Sequence, residues 1–502
     1  MAYIKTHIFT LTTQLTHNQH IRPIRSGTFL DINKMLLHLW VEMSLREKTD
    51  NTMIENKNMV EATLQRATDT RALKVGSGVV AECGAMFREL FGSQKAIIVA
   101  DTQTIQLAGE AVQKSLTEAG IEQEAPFIFN SMGLVSDWSF VEQLDARLAT
   151  TDAVAVAIGA GTINDLAKIC SYHVDRSYMV VATAVSMDGY TAYGAPMIKD
   201  GMKQTFDCSA PMGVIADTDI IATCPPKMIA SGYADLLAKI PTGADWILAD
   251  RLGVEPMDDF SFSLVQNGLR DALTNPQRVR EGSQDALIKL TEGLLMSGFA
   301  MQAHRSSRPA SGAEHLFARL WEMEHRLFGD NVPSHGFMVA IGLLCSTALF
   351  ECLLKEDIEA LDIEAAVAAW PTAEEARLDA LVTFEGTDFP LIGVKETAAK
   401  YINKRELRNQ LKTLKANWSE IRTAVENQLF TYEECRSLLA AVGAPTEPEE
   451  IGISRSRLKE SVIKAVRLRR RFTILDLGLR CGLLDKWMDE LFGPGGRWEI
   501  KE

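Results

Sequence analysis

Between residues 95 and 217 short apolar runs recur at intervals: KAIIVAD (95–101), APFIFN (125–130), DAVAVAIGAG (152–161), SYMVVATA (177–184) and MGVIAD (212–217). Each has the length of a strand and is apolar nearly throughout, the pattern of a strand covered on both faces. Helix-like stretches separate them, which predicts a parallel sheet flanked by helices. After Pro225-Pro226 the strand pattern stops, and long helical periodicities such as YADLLAKIPTGADWILADRL and ALIKLTEGLLMSGFAMQAH take over. The expected organisation is an α/β domain over 54–225 and an all-helical domain over 226–502, with a cleft between them as the natural site. Residues 1–53 are polar fragments around one amphipathic piece, KMLLHLWVEM. They are expected to be a non-catalytic extension, or to precede a true start at Met53.

Composition narrows the function classes. A chain of 502 residues is long for a single core. With 46% hydrophobic and 24% charged residues it has the make-up of an ordinary globular protein. A net charge of −14 repels a phosphate backbone and argues against nucleic acid as a partner. Eight cysteines without a C-x-x-C pair read as free thiols in a reducing cytoplasm. No apolar run is read as long enough to span a bilayer, and the N-terminus lacks the pattern of a secretory signal. The basic run KAVRLRRR (464–471) reads as a solvated helix face that offsets nearby acids.

Two loops carry candidate chemistry. AVAVAIGAGTINDLAK is a strand, a glycine turn and a helix. Gly159 and Gly161 let the backbone approach a ligand, and Thr162 and its neighbours offer N–H groups at a helix N-terminus, where an anion is favoured. A pyrophosphate fits, and so does a plain strand-to-helix turn. The ordinary G-x-G-x-x-G fingerprint is not satisfied, because Asp165 stands in the third glycine's place. The best ribose-binding acid, Asp101, precedes the loop and equally suits the N-cap of the next helix. In the second loop, 183–197, Thr183 and Ser186 sit where ligands of open α/β sheets bind, and Asp188-Gly189 is a turn dipeptide.

Three of the nine histidines lie at 315, 325 and 335. If 314–327 is one helix, His315 and His325 are roughly 15 Å apart along its axis and point apart, so one ion cannot hold both. Gly329 and Pro333 break the helix and free His335 to fold back. The choice lies between 315 with 335 and 325 with 335. His325 sits among charges, in E-M-E-H-R, so the first pair is preferred. The third ligand is expected to be a carboxylate. Asp235, in ASGYADLLAK, is in apolar company and needs a cation, for which Lys239 four residues on is the simple alternative. Two histidines and one carboxylate leave an open coordination position, the mark of a catalytic site.

GAGTINDLAK, TAVSMDGYT, ASGYADLLAK with the following ADW, SRPASGAEH and the SHG at 334–336 together resemble sn-glycerol-1-phosphate dehydrogenase, most closely its bacterial branch. That family lies within the dehydroquinate synthase-like and iron-containing alcohol dehydrogenase superfamily, and the likeness runs over roughly 55–495. The resemblance implies that Asp235, His315 and His335 bind one divalent metal, zinc or alternatively nickel or iron. It implies that Asp101 holds the adenosine ribose of NAD or NADP, that Gly159, Ala160, Gly161, Thr162 and Ile163 cradle the pyrophosphate, and that Thr183 to Ser186 line the dinucleotide. Asp188 is implied to contact a small phosphorylated substrate. Two positions depart from the family pattern. A serine that touches the cofactor is here Ala192, with Thr191 adjacent. A histidine near the substrate is here Arg319, one turn from His315, which suits a phosphate but not proton transfer; Lys203 is a further candidate for the phosphate.

The expected reaction is metal-dependent reduction of dihydroxyacetone phosphate to sn-glycerol 1-phosphate by a cytoplasmic homodimer, with Asp188, Asp235 and Arg319 as the catalytic set. The alternatives are a polyol or alcohol dehydrogenase or sugar-phosphate cyclase of the same fold, and a catalytically degenerate binding protein.

Overall fold

The computed structural model describes residues 62–501 except 132, 201 and 330, and not the side chains of Met202 and His325. The extension expected over 1–53 lies outside the described residues. Residues 63–502 form one compact unit.

Its frame is a six-stranded, all-parallel sheet of β1 (Ala72–Gly76), β2 (Ala96–Asp101), β3 (Phe127–Phe129), β4 (Val154–Gly159), β5 (Met179–Ala182) and β8 (Gly213–Asp217), in the order β1-β8-β5-β4-β2-β3. The central strands β4, β5 and β8 are buried at every position. Their side chains alternate between two hydrophobic clusters: Ala155 and Ala157 face one, and Val156 and Ile158 the other. All five apolar runs form strands. β1 does not have such a pattern, because it is a half-exposed edge strand. A separate antiparallel hairpin, β6 (Ala195–Lys199) with β7 (Met202–Phe206), follows the second loop. Asp200 at its tip has φ 53°, the left-handed conformation that tight hairpin turns require.

Among the described residues no strand follows Asp217. Six helices position the site: α1 (Gly161–His173), α2 (Pro226–Leu237), α3 (Lys239–Arg251), α4 (Gln284–His304), α5 (Ala313–Met323) and α6 (His335–Lys355). Pro226 occupies the first turn of α2, where its missing N–H costs nothing. One hydrophobic cluster runs from a sheet face through Tyr233, Leu294, Phe317 and Met338 to Trp498 without interruption.

Three expectations need correction. The expected helix over 314–327 ends at Met323, and His325–Phe328 is a separate 3-10 turn. α6 is long and apolar enough to cross a membrane by length and composition, with mean hydropathy 2.1, although no run was read so. It is 83% buried within the protein, and it packs as a core helix against α2 and α5. The basic run 464–471 is not a helix face: the helix Arg455–Ala465 ends two residues into it, and the rest follows a loop.

Candidate active site

Two glycines draw the site's elements together. A Cβ on Gly232 would stand 1.6 Å from the Val185 carbonyl oxygen, so only glycine lets α2 press against the second loop. A Cβ on Gly336 would stand 1.9 Å from the Ser231 carbonyl oxygen, so α6 starts in direct contact with α2. The Ser231 hydroxyl fastens both contacts: it donates to the Ser186 carbonyl and accepts from the Gly336 N–H. Asp235, one turn further along α2, is thereby placed beside the first residue of α6, His335. α5 brings in His315.

The resulting cluster has one carboxylate oxygen of Asp235 and one ring nitrogen each from His315 and His335 within 4.8 Å of one another. The two imidazole centroids are 5.4 Å apart. Each imidazole is oriented by an acid, fully buried for His315 and partly buried for His335. His315 Nδ1 lies 2.8 Å from Glu314 Oε1, and His335 Nδ1 lies 2.8 Å from Glu322 Oε1. With Nδ1 carrying the proton toward a carboxylate, Nε2 is left as the ligand atom, the arrangement typical of metal-binding histidines. Glu314 is itself held by Thr242, and Glu322 by Lys203 at 2.7 Å.

Lys239 is fully buried and all its ammonium donors are used. It reaches Asp235 Oδ1 at 2.7 Å, Asp188 Oδ2 at 2.7 Å and the Ala310 carbonyl at 3.0 Å. The simple ion pair weighed for Asp235 is therefore present, and Asp235 belongs to the three-residue cluster as well. Burial alone would raise the Asp235 carboxyl, but Lys239 and the two imidazoles hold it well below the usual range. Burial would equally raise Glu322, which Lys203 and His335 hold well below its ordinary value. Asp188 accepts from the Ser297 hydroxyl at 2.8 Å, and its backbone N–H donates to Asp235 Oδ2 at 3.0 Å.

A cavity of about 850 Å³ joins these groups to the glycine loop. Its walls include Ala160, Gly161, Thr162, Ser186, Asp188, His315, His335 and Arg319. The first N–H groups of α1 lie at that loop and have no acceptor within the helix. Asp165 also lines the cavity, its carboxyl pushed up to about 6 by burial against the pull of Lys168 and Lys203. Asp101 ends β2 beside β4, and one of its oxygens accepts from the N–H groups of Gln103 and Thr104. These bonds close the turn before the helix Ile105–Gly109, whose N-cap is Thr104 and not Asp101, and the second oxygen lies outside them. Ile163 is buried beneath Gly159, and Thr183 is buried with its N–H on the Gly159 carbonyl. Thr191 is turned away from the cleft: it is fully buried, and its hydroxyl donates to the Leu295 carbonyl. Ala192 reaches the cavity wall instead. Arg319 donates through Nη2 to the Lys203 carbonyl at 2.8 Å.

Sequence reasoning passed over Glu314, Glu322 and Ser297, and gave Lys239 only a pairing role. One signal was available. Residues 315, 319 and 322 follow at i, i+4 and i+7, a single stripe of a helix.

Known proteins resemble this chain in sequence and in fold. Residues 74–225 match the family model described as iron-containing alcohol dehydrogenase. Among solved structures, glycerol dehydrogenase from Schizosaccharomyces pombe superposes with a TM-score of 0.53 at 14% identity, over 86% of this chain and 96% of that one. An iron-containing alcohol dehydrogenase from Corynebacterium glutamicum gives 0.53 at 16%, over 84% and 95%. The fold is therefore that of the iron-containing alcohol dehydrogenase class. Glycerol-1-phosphate dehydrogenase (NAD(P)+) of Halalkalibacterium halodurans is 31% identical over 380 residues, 75% of this chain and 84% of that protein. The Geobacillus stearothermophilus protein of the same name is 30% identical over 388 residues, 76% and 86%. The chain belongs to the glycerol-1-phosphate dehydrogenase family and is an NAD(P)-linked enzyme.

Proposed function

We propose that this enzyme reversibly reduces dihydroxyacetone phosphate to sn-glycerol 1-phosphate. The observation that carries the reading is the convergence of His315 and His335, in the wall of the cavity that also contains the glycine loop, on the fully buried Asp235. The donor set fits a divalent cation: two imidazoles with their outer nitrogens bonded to acids, and a carboxylate kept ionised by Lys239. When bound there, zinc, or alternatively nickel or iron, supplies a Lewis acid for the substrate's carbonyl oxygen.

The chain's own groups do the rest. Glu314 and Glu322 fix the tautomer and direction of the two imidazoles. Asp188, clamped by Ser297 and Lys239, orients a substrate hydroxyl. Arg319, which does not give up its proton near neutral pH, binds the phosphate and relays nothing. The loop Gly159–Ile163 holds the pyrophosphate of the nicotinamide cofactor, and Asp101 the ribose, where a carboxylate favours NAD over NADP by repelling a 2′-phosphate. In this reading 54–225 is the dinucleotide-binding half and 226–502 the metal- and substrate-binding half. The eight unpaired, buried cysteines suit a reducing cytoplasm.

The test is steady-state NADH oxidation with dihydroxyacetone phosphate and with plain dihydroxyacetone, after loading the protein with zinc, nickel or iron. The phosphorylated ketone is expected to be strongly preferred. Asp235→Asn and His315→Ala are expected to lose turnover together with bound metal while keeping the helical circular dichroism. Full activity in a metal-free His315→Ala protein would end this reading.

A further inference from the structure

One cation of the cavity wall comes from the basic run that the sequence pattern assigns to a solvated helix face. Arg469 lies on the loop after the helix Arg455–Ala465 and reaches the cavity wall near Arg319. Its neighbours in the basic run are all engaged. Lys464 is 3.5 Å from Glu324, Arg467 pairs with Asp379, Arg470 is 3.6 Å from Glu396, and Arg471 donates to the Ser307 and Ser311 carbonyls. Arg469 has no hydrogen-bond or ion-pair partner among the described residues.

Arg319 is also under-used. Its Nε is buried without a partner, and its Nη2 meets only the neutral Lys203 carbonyl. Two half-buried guanidinium groups thus face one cavity wall, and no carboxylate is hydrogen-bonded to either. The acids that act on Arg469 from a distance are Glu396 and Glu255, and these are taken by Arg470 and by Arg308 at 2.6 Å. Burial, with the repulsion of Arg319, lowers Arg469 to about 10, which leaves it charged at neutral pH. Glu322 and Glu396 act on Arg319 from a distance but are paired with Lys203 and Arg470, and like charges so little compensated are costly at such a place unless an anion joins them.

Resting on the reading of the substrate as a phosphorylated ketone, we propose that Arg469 and Arg319 together form the phosphate-binding end of the cleft, and that Arg469 sets the preference for the phosphorylated substrate. A phosphate monoester carries nearly two negative charges and offers several acceptor oxygens, and planar guanidinium groups bind such oxygens in pairs. The spacing also suits a three-carbon ketone. Arg319 stands one helical turn from His315, a rise of about 6 Å.

The experiment compares metal-loaded wild type with Arg469→Gln and Arg469→Lys. Inorganic phosphate is titrated calorimetrically, and NADH oxidation is measured with dihydroxyacetone phosphate and with dihydroxyacetone. Loss of a charged hydrogen bond predicts phosphate affinity about tenfold or more weaker in Arg469→Gln, with KM for the phosphorylated ketone raised and its preference over the plain ketone reduced to a similar extent. Arg469→Lys keeps the charge but not the fork, and is expected to fall between the two. It also serves if Arg469→Gln does not fold. Wild-type phosphate affinity in either folded variant overturns the proposal. Should wild type show no preference for the phosphorylated ketone and yet bind phosphate through Arg469, the substrate reading and the specificity role both fall while the anion site stands.

Discussion

Glu322 touches no substrate in the proposed mechanism, yet it carries three loads at once. It fixes His335 through Nδ1, it holds Lys203 at the cavity wall, and it shares the helix stripe of His315 and Arg319. Replacing it with glutamine keeps the shape and removes the charge. Loss of such an outer partner typically costs about 10–100-fold in metal affinity. Glu322→Gln is therefore expected to fold normally and to release zinc to a chelator at a concentration that leaves wild type loaded. Equal retention of zinc in the two proteins, measured by metal analysis after dialysis, would show that the hydrogen bond is idle. The three members of the cluster were legible in the sequence and the acids beside them were not, for a physical reason. His315 and His335 are two of only nine histidines, and Asp235, itself a common residue type, stands out by its apolar company. Glu314 and Glu322 are two of the chain's 66 acidic residues. Only the fold tells that one contacts the histidine next to it and the other a histidine 13 positions away.

At the scale of elements, the site depends on helices approaching more closely than ordinary side chains permit. The start of α6 lies against α2 because residue 336 is glycine. Its missing Cβ would meet a backbone oxygen, which does not swing aside as a side chain does. Gly336→Ala must therefore push α6 away from α2, carrying His335 from Asp235. Overpacking of this kind costs typically 1–3 kcal/mol, and a backbone obstacle puts it at about the upper end. The expected result is a urea midpoint lowered by a corresponding amount together with weakened metal binding, whereas a variant of wild-type stability and metal content would show the contact to be slack. The central strands were readable because burial on both faces demands continuous apolar runs. β1 escaped notice because an edge strand, ALKVG, is half-exposed and need not be apolar throughout. The hairpin β6–β7 escaped because its strands, APMIK and MKQTF, are short, carry a proline and polar positions, and stand outside the main sheet. The Asp-Gly dipeptide at 200–201 in the sequence was the overlooked signal.

At the scale of the whole molecule, the two halves share one hydrophobic cluster, and they meet again through polar bonds at the site, where Asp188 from the sheet side binds Lys239 and Ser297 from the helical side. A boundary near Pro225-Pro226 is visible as a change of pattern, but the pattern is silent on how firmly the parts are joined. The cysteines can report it. All eight are free and buried, four before residue 226 and four after residue 344. Burial raises Cys83, Cys208 and Cys435 to about 12, so each resists ionisation as well as contact with reagent. In native protein near pH 8, alkylation is therefore expected to be very slow at every position, and complete in denaturant. At intermediate urea, a continuous core requires the two sets to become reactive together, because neither half opens without exposing the surface it shares with the other. In the proposed site, added zinc would bind only side chains of the helical half. A ligand at about 100 times its dissociation constant stabilises the native state by about 2.7 kcal/mol. If the halves are coupled, zinc slows labelling of Cys170, Cys208 and Cys224 as much as that of Cys345, Cys352, Cys435 and Cys481, all seven of which lie in the shared cluster. Protection confined to the second set, read by mass spectrometry of the labelled peptides, would mean that the halves unfold independently and that the cleft is held by its polar contacts alone.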